Sequence, residues 1–168
     1  MSNEIAYDII GFFFVIIIIV VFIILLLFFI YKPINQSQTQ GFSITLNGAQ
    51  EVPPSTSTGV GSGKLNLSAL GTYLDYDIAI SGIATSVIAV TFNQGAFGQN
   101  GSVLKNANFT NIGNGNYIIQ GSWTAADFSQ PLTANIVTQL KSGNLYMNVM
   151  SQKDPNGEIR GQIIPLLL

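Results

Sequence analysis

Glu51 and Arg160 are the charges that most invite a chemical reading, in a chain with 6 basic and 8 acidic residues and no histidine or cysteine. A carboxylate and a guanidinium can face a ligand together. They can also lock two backbone segments through a bidentate, charge-assisted contact, and with Pro53 and Pro54 stiffening the turn after Glu51 this structural role is favoured. Glu158 shares a strand face with Arg160 by its i, i+2 spacing, so a small network of Glu51, Glu158 and Arg160 is expected. Asp75 and Asp77 alternate on one strand, while Asp127 and Asp154 fall in turns. Paired carboxylates serve acid–base chemistry or calcium, but no D-x-D-x-D-G loop is present and a solvated outer face is the better account. The segment KDPNGE at 153–158 is first a turn, with Pro155 and Gly157 supplying its dihedrals. GAFGQNGSV at 95–103 lacks the Lys-Ser/Thr of a phosphate loop and runs into a strand, so it reads as a glycine-rich β-turn. Gln50, Asn93, Asn100, Asp154 and Asn156 remain as surface or ligand-loop positions.

These residues exclude more than they assign. Without histidine or cysteine the usual base and thiol are missing, and no serine sits in a G-x-S-x-G elbow, so neither an enzyme nor a cofactor is expected. Six basic residues cannot form a nucleic-acid footprint.

The elements that must position these residues follow from periodicity. Residues 1–8 form a short tail, and IIGFFFVIIIIVVFIILLLFFIY at 9–31 carries no charge. At 1.5 Å per helical residue, about 20 residues cross a ~30 Å hydrocarbon core, so 9–31 is expected to be a single transmembrane helix with the lipid bilayer as its partner. Its apolar run is too long for a cleavable signal peptide, with no Lys or Arg before it and no A-x-A site after it. Lys32 leans, by one charge, toward a cytosolic C-terminus. KPINQSQTQ at 32–40 reads as a polar stalk. From 41 to 168 the period becomes two: Phe42, Ile44 and Leu46, then Leu65 and Leu67, then Leu74, Tyr76, Ile78 and Ile80 each mark one face. VIAVTFN, NYIIQGSW, LYMNVM and EIRGQII continue the series between Gly-, Asn-, Ser- and Pro-rich turns. Ile136, Val137 and Leu140 stand at helical spacing, with Thr133 as cap and Gly143 past the end. The expected fold is an all-β, antiparallel Greek-key or Ig-like β-sandwich with one short helix, and Trp123 in its core. Four sequons stand at Asn35, Asn66, Asn100 and Asn108 where this composition gives about two by chance, so they say little about glycosylation.

Three blocks, FSITLNGAQEVPP at 42–54, GAFGQNGSV at 95–103 and YMNVMSQKDPNGEIRGQI at 146–163, together resemble the CHRD domain first described in chordin. The resemblance spans residues from about 41 to 165 and implies an all-β domain, usually exported or displayed on a surface. It therefore favours an exoplasmic C-terminal domain, against the single vote of Lys32. Family members often carry an H-x-H pair before the glycine-rich block and a further histidine after Y-x-N-V; here those positions hold Thr91, Asn93 and Met150. Hydroxyl, amide and thioether are poor ligands for zinc or copper(II), so the resemblance implies no metal site in this chain. The leading expectation is a structural or adhesive module at a cell or virion surface, binding protein or glycan. A metal carrier or superoxide dismutase-like enzyme is the disfavoured alternative. A self-assembling, homo-oligomeric coat protein is the third.

Overall fold

The computed structural model describes Phe13, residues 15–27 and residues 38–167, and the chain divides into two units between Gln38 and Thr39. In the first unit residues 15–27 are helical and exposed. No helix among the described residues is long and apolar enough to cross a membrane. The rest of the expected 9–31 span, the 1–8 tail and residues 32–37 of the stalk lie outside the described residues.

The second unit is all-β with one short α-helix. Its strands are β1 (Gln40–Asn47), β2 (Val60–Leu67), β3 (Tyr73–Ser81), β4 (Val87–Gln94), β5 (Val103–Asn106), β6 (Thr110–Gly113), β7 (Asn116–Thr124), β8 (Leu145–Ser151) and β9 (Ile159–Pro165). A single 3₁₀ turn, Gly48–Gln50, follows β1, and α1 (Ala134–Lys141) joins β7 to β8. The expected helix is capped as its sequence implies: the Thr133 hydroxyl accepts from the Ile136 N–H, Leu140 is buried, and Gly143 takes the left-handed conformation beyond the C-terminus.

The architecture differs from two separate sheets. All nine strands join one antiparallel sheet in the order β5-β4-β8-β9-β1-β2-β3-β7-β6. The last strand returns to lie beside the first, Phe42 opposite Pro165 and Asn47 opposite Arg160, so no break separates two layers. Instead the sheet curls until its halves face each other. Irregularities in β4 and between β6 and β7 sharpen the local twist that curling needs. The curl brings Phe92 of β4 against Tyr76 of β3 and Trp123 of β7, with ring centroids 5.1 and 5.3 Å apart. β5 and β6, the two ends of the sheet, are joined by residues 107–109 alone, and the Ala107 N–H donates to the Val90 carbonyl, one step beyond the β4–β5 ladder. Both strands are short and largely exposed, which is why their sequences show no alternation.

The core between the halves is apolar. β3 alternates without exception, Leu74, Tyr76, Ile78 and Ile80 inward and Asp75 and Asp77 outward. Trp123 is fully buried and its indole N–H donates to the Gln130 carbonyl at 2.7 Å. Because Phe92 is the side chain on which both halves converge, Phe92→Ala is expected to cost about 3–5 kcal/mol of stability. Urea unfolding checks this as a lower midpoint with unchanged slope.

Candidate functional site

β8 and β9 depart from simple alternation because both of their faces are covered. Leu145, Met147, Val149, Ile159 and Ile163 enter the apolar core. The other face carries Tyr146 and Asn148 of β8 and Arg160 and Gln162 of β9, beside Thr91 and Asn93 of β4, and all six are buried. Cross-strand register arranges them in two rows, Thr91–Asn148–Arg160 and Asn93–Tyr146–Gln162. Buried polar groups must find partners or carry the full cost of desolvation. The partners come from two connections, residues 48–59 and 95–102, that fold back over this face.

Arg160 is the hub. Its guanidinium donates to the Asn100 Oδ1 (3.2 Å), the Ala96 carbonyl (3.1 Å) and the Gln162 Oε1 (3.3 Å), and its carbon lies 3.6 Å from the centre of the Tyr146 ring. Gln162 extends the network by donating from Nε2 to the carbonyls of Gly95 (2.9 Å) and Gly143 (2.8 Å), and from its backbone N–H to the Gln50 Oε1 (3.1 Å). Gln50 in turn donates to the Thr45 carbonyl at 2.7 Å. Asn100 links the two covers, since its amide also donates to the Val52 carbonyl at 2.6 Å. The Tyr146 hydroxyl accepts from the Gly101 N–H at 3.1 Å, and Asn93 donates to the Gly101 carbonyl at 3.4 Å. Only glycine fits at 101, because a Cβ there would run into the Gln94 carbonyl.

The first cover is tied separately. Ser55 donates to the Glu158 carbonyl at 2.6 Å, and Ser57 donates to the Glu158 carboxylate at 2.8 Å. Glu51 is buried with its carboxylate against Gly157, where a Cβ would stand 2.5 Å from Oε2. Four buried acceptors near the 151–158 turn, Glu51 Oε1, Asn148 Oδ1, Asp154 Oδ2 and Glu158 Oε2, have no hydrogen-bond donor among the described residues. Desolvation pushes the Glu51 carboxyl up to about 7; the Arg160 charge opposes this rise and the Asp154 charge adds to it. Burial likewise lowers the Arg160 guanidinium below its ordinary value, an effect that Tyr146 and Glu51 counter.

Several sequence expectations change here. Glu51 and Arg160 act on each other's charge, but the bidentate pair is not made; the ion pairs among the described residues are Lys105–Asp127 at 2.7 Å and Lys153–Asp154 at 4.0 Å. Neutral oxygens of Asn100, Ala96 and Gln162 take the guanidinium instead, and two serines take Glu158. Of the five loop positions, Gln50, Asn93 and Asn100 brace the two covers, Asn93 buried, Gln50 half-buried and Asn100 exposed, whereas Asp154 and Asn156 lie in the 152–158 turn, half-buried and exposed respectively. Thr91 donates to the Asn93 Oδ1 at 2.6 Å, so these two side chains satisfy each other, and Met150 stands opposite Ala89 on the neighbouring strand. No three His, Cys, Asp or Glu side chains among the described residues gather as metal ligands. Sequence reasoning missed Tyr146, Asn148 and Gln162; their signal is polar residues at every second position of strands whose alternate positions are apolar. Asp75 and Asp77 line a shallow recess of about 650 Å³ with Lys64, Asn66 and Gln120, on the outer face of β2, β3 and β7, away from this cluster.

The family model for the CHRD domain matches residues 42–163. A search of curated proteins finds no match.

Two outcomes follow from the geometry. The folded Glu51 value of about 7 exceeds the ordinary 4.5, so the folded state holds the extra proton between them. Its stabilising contribution is complete below pH 4.5 and is lost as pH rises through 7, by on the order of 3 kcal/mol. Glu51→Gln is therefore expected to flatten the stability profile between about pH 5 and 8, as read by urea unfolding across that range. Arg160→Lys, which cannot reproduce the fork of donors, is expected to cost about 2–4 kcal/mol and to speed amide exchange in residues 95–102.

Proposed function

Because the chain belongs to the CHRD domain family, we infer that it serves as a structural or binding module, carried at a cell or virion surface by the apolar segment 9–31. The observation that carries this reading is the direction in which the polar cluster faces. The three blocks that mark the family converge on Arg160, and their donors engage oxygens inside the domain. A guanidinium that is 1 % exposed and donates to three oxygens of its own domain braces loops and offers little surface to a substrate phosphate or carboxylate. Partners are left with the outer surfaces: the turn bearing Asp154 and Asn156, and the polar recess at Lys64, Asn66, Asp75 and Asp77. Side chains of that kind suit hydrogen bonding to a peptide or to a hydroxyl-rich glycan.

In this reading the apolar segment supplies attachment. Its 9–31 stretch is uncharged and longer than the ~20 residues that a hydrocarbon core requires. The full chain with a C-terminal tag is expected to stay with membranes through an alkaline carbonate wash. Protease added outside intact membranes is expected to remove the tag. A tag that resists digestion until the membrane is opened would place the domain inside and reject a surface role.

A further inference from the structure

We propose that the end of the sheet at which β1 begins is a lipid-contacting face, resting on the headgroup region of a bilayer. This builds on the membrane attachment inferred above and adds which part of the domain meets the lipid.

The strand register defines the two ends. Gln40 lies opposite Leu67, Phe42 opposite Pro165, and Tyr73 opposite Thr124. The β2–β3 connection at 68–72, the start of the β7–β8 connection after Thr124, and the C-terminal residues after Pro165 therefore share one end with the start of β1. They also touch: the Ala125 N–H donates to the Thr72 carbonyl at 2.8 Å, the Leu166 N–H donates to the Gly41 carbonyl at 3.0 Å, and Val137 of α1 packs beside Gly71. This end exposes large hydrophobic side chains: Leu70 at 86 %, Phe128 at 104 % and Leu167 at 102 %, with Tyr73 and Leu166 partly exposed beside them. At the opposite end, connections 48–59, 82–86, 114–115 and 152–158 expose none among the described residues, and the strand ends beside them expose Val60, Ile88 and Ile112 by only about half. Exposed hydrophobics scattered singly need no explanation, but the gathering of the most exposed of them at one end does.

Chain connectivity and charge select lipid as the occupant. The apolar stretch ends at residue 31, and residues 32–40 can extend at most about 30 Å, so an anchored chain keeps this end within reach of the bilayer. The opposite end lies one eight-residue strand further away, about 27 Å. The acidic residue in these connections, Asp127, is neutralised by Lys105 at 2.7 Å, and Lys141 at the end of α1 is exposed. Leucine and aromatic side chains with a lysine in the same set of connections, and no uncompensated acid, are the chemistry of an interfacial surface.

The chain contains no cysteine, so Leu70→Cys and Phe128→Cys each create a unique labelling site, with Thr56→Cys and Asn156→Cys as controls at the other end. The full-length variants, labelled with an environment-sensitive fluorophore, are reconstituted in phosphatidylcholine–phosphatidylserine vesicles and recovered by flotation. Spin-labelled lipid is expected to quench the labels at 70 and 128 several-fold more than those at 56 and 156, with a blue-shifted emission. Equal quenching at all four sites in chains that float would overturn the proposal while leaving attachment intact. Chains that do not float would overturn attachment and the lipid face together. Shielding at 70 and 128 that persists in detergent, with energy transfer between differently labelled chains, would assign the face to a second copy and likewise overturn it.

Discussion

A guanidinium buried on the outer face of a strand obliges the chain to bring oxygen atoms to it. Arg160 stands in β9, in the middle of the sheet order, with a tyrosine ring on one side and no water-facing exit. Leaving its donors unpaired would cost several kcal/mol, so the fold is stable only with residues 95–102 in place. Residues 48–59 follow, because Asn100 binds both Arg160 and Val52. The tight approach at Gly101 and the contact of Glu51 on Gly157 are then consequences of closing two covers over one charge.

The electrostatics have the same origin. The covers that satisfy Arg160 also exclude water from Glu51, and the region holds more acceptors than donors. A proton on Glu51 adds one donor where donors are scarce. The acid therefore holds its proton far more strongly than a solvated glutamate, although a cation lies close enough to pull the other way.

How much of this was legible in the sequence varies by element. β3 was readable residue by residue, because one face meets the core and the other meets water. α1 was equally clear from its cap, its apolar spacing and its terminal glycine. In β8 and β9 the alternation was visible but its meaning was not: polar positions that read as solvent-facing lie under loops distant in sequence. The complementary charges of Glu51 and Arg160 were visible as well. That neutral carbonyl and amide oxygens would take the guanidinium depends on where two connections fold, and local pattern carries no record of it. The single curled sheet escaped notice for a related reason, since the β1–β9 pairing that joins the halves spans nearly the whole domain. At Thr91 and Asn93 the resemblance placed two side chains on one strand face, and there they hydrogen-bond to each other in a sealed polar layer.

The position of β1 has a mechanical consequence. It is the fifth of nine strands, bonded along its length to β2 and partly to β9, and the chain enters it from the N-terminal side. A pull between that entry and a partner gripping the opposite end runs along the strand axis. The ladders flanking β1 are then sheared together, and none can peel open one hydrogen bond at a time. The domain would yield late and all at once under tension applied in that direction.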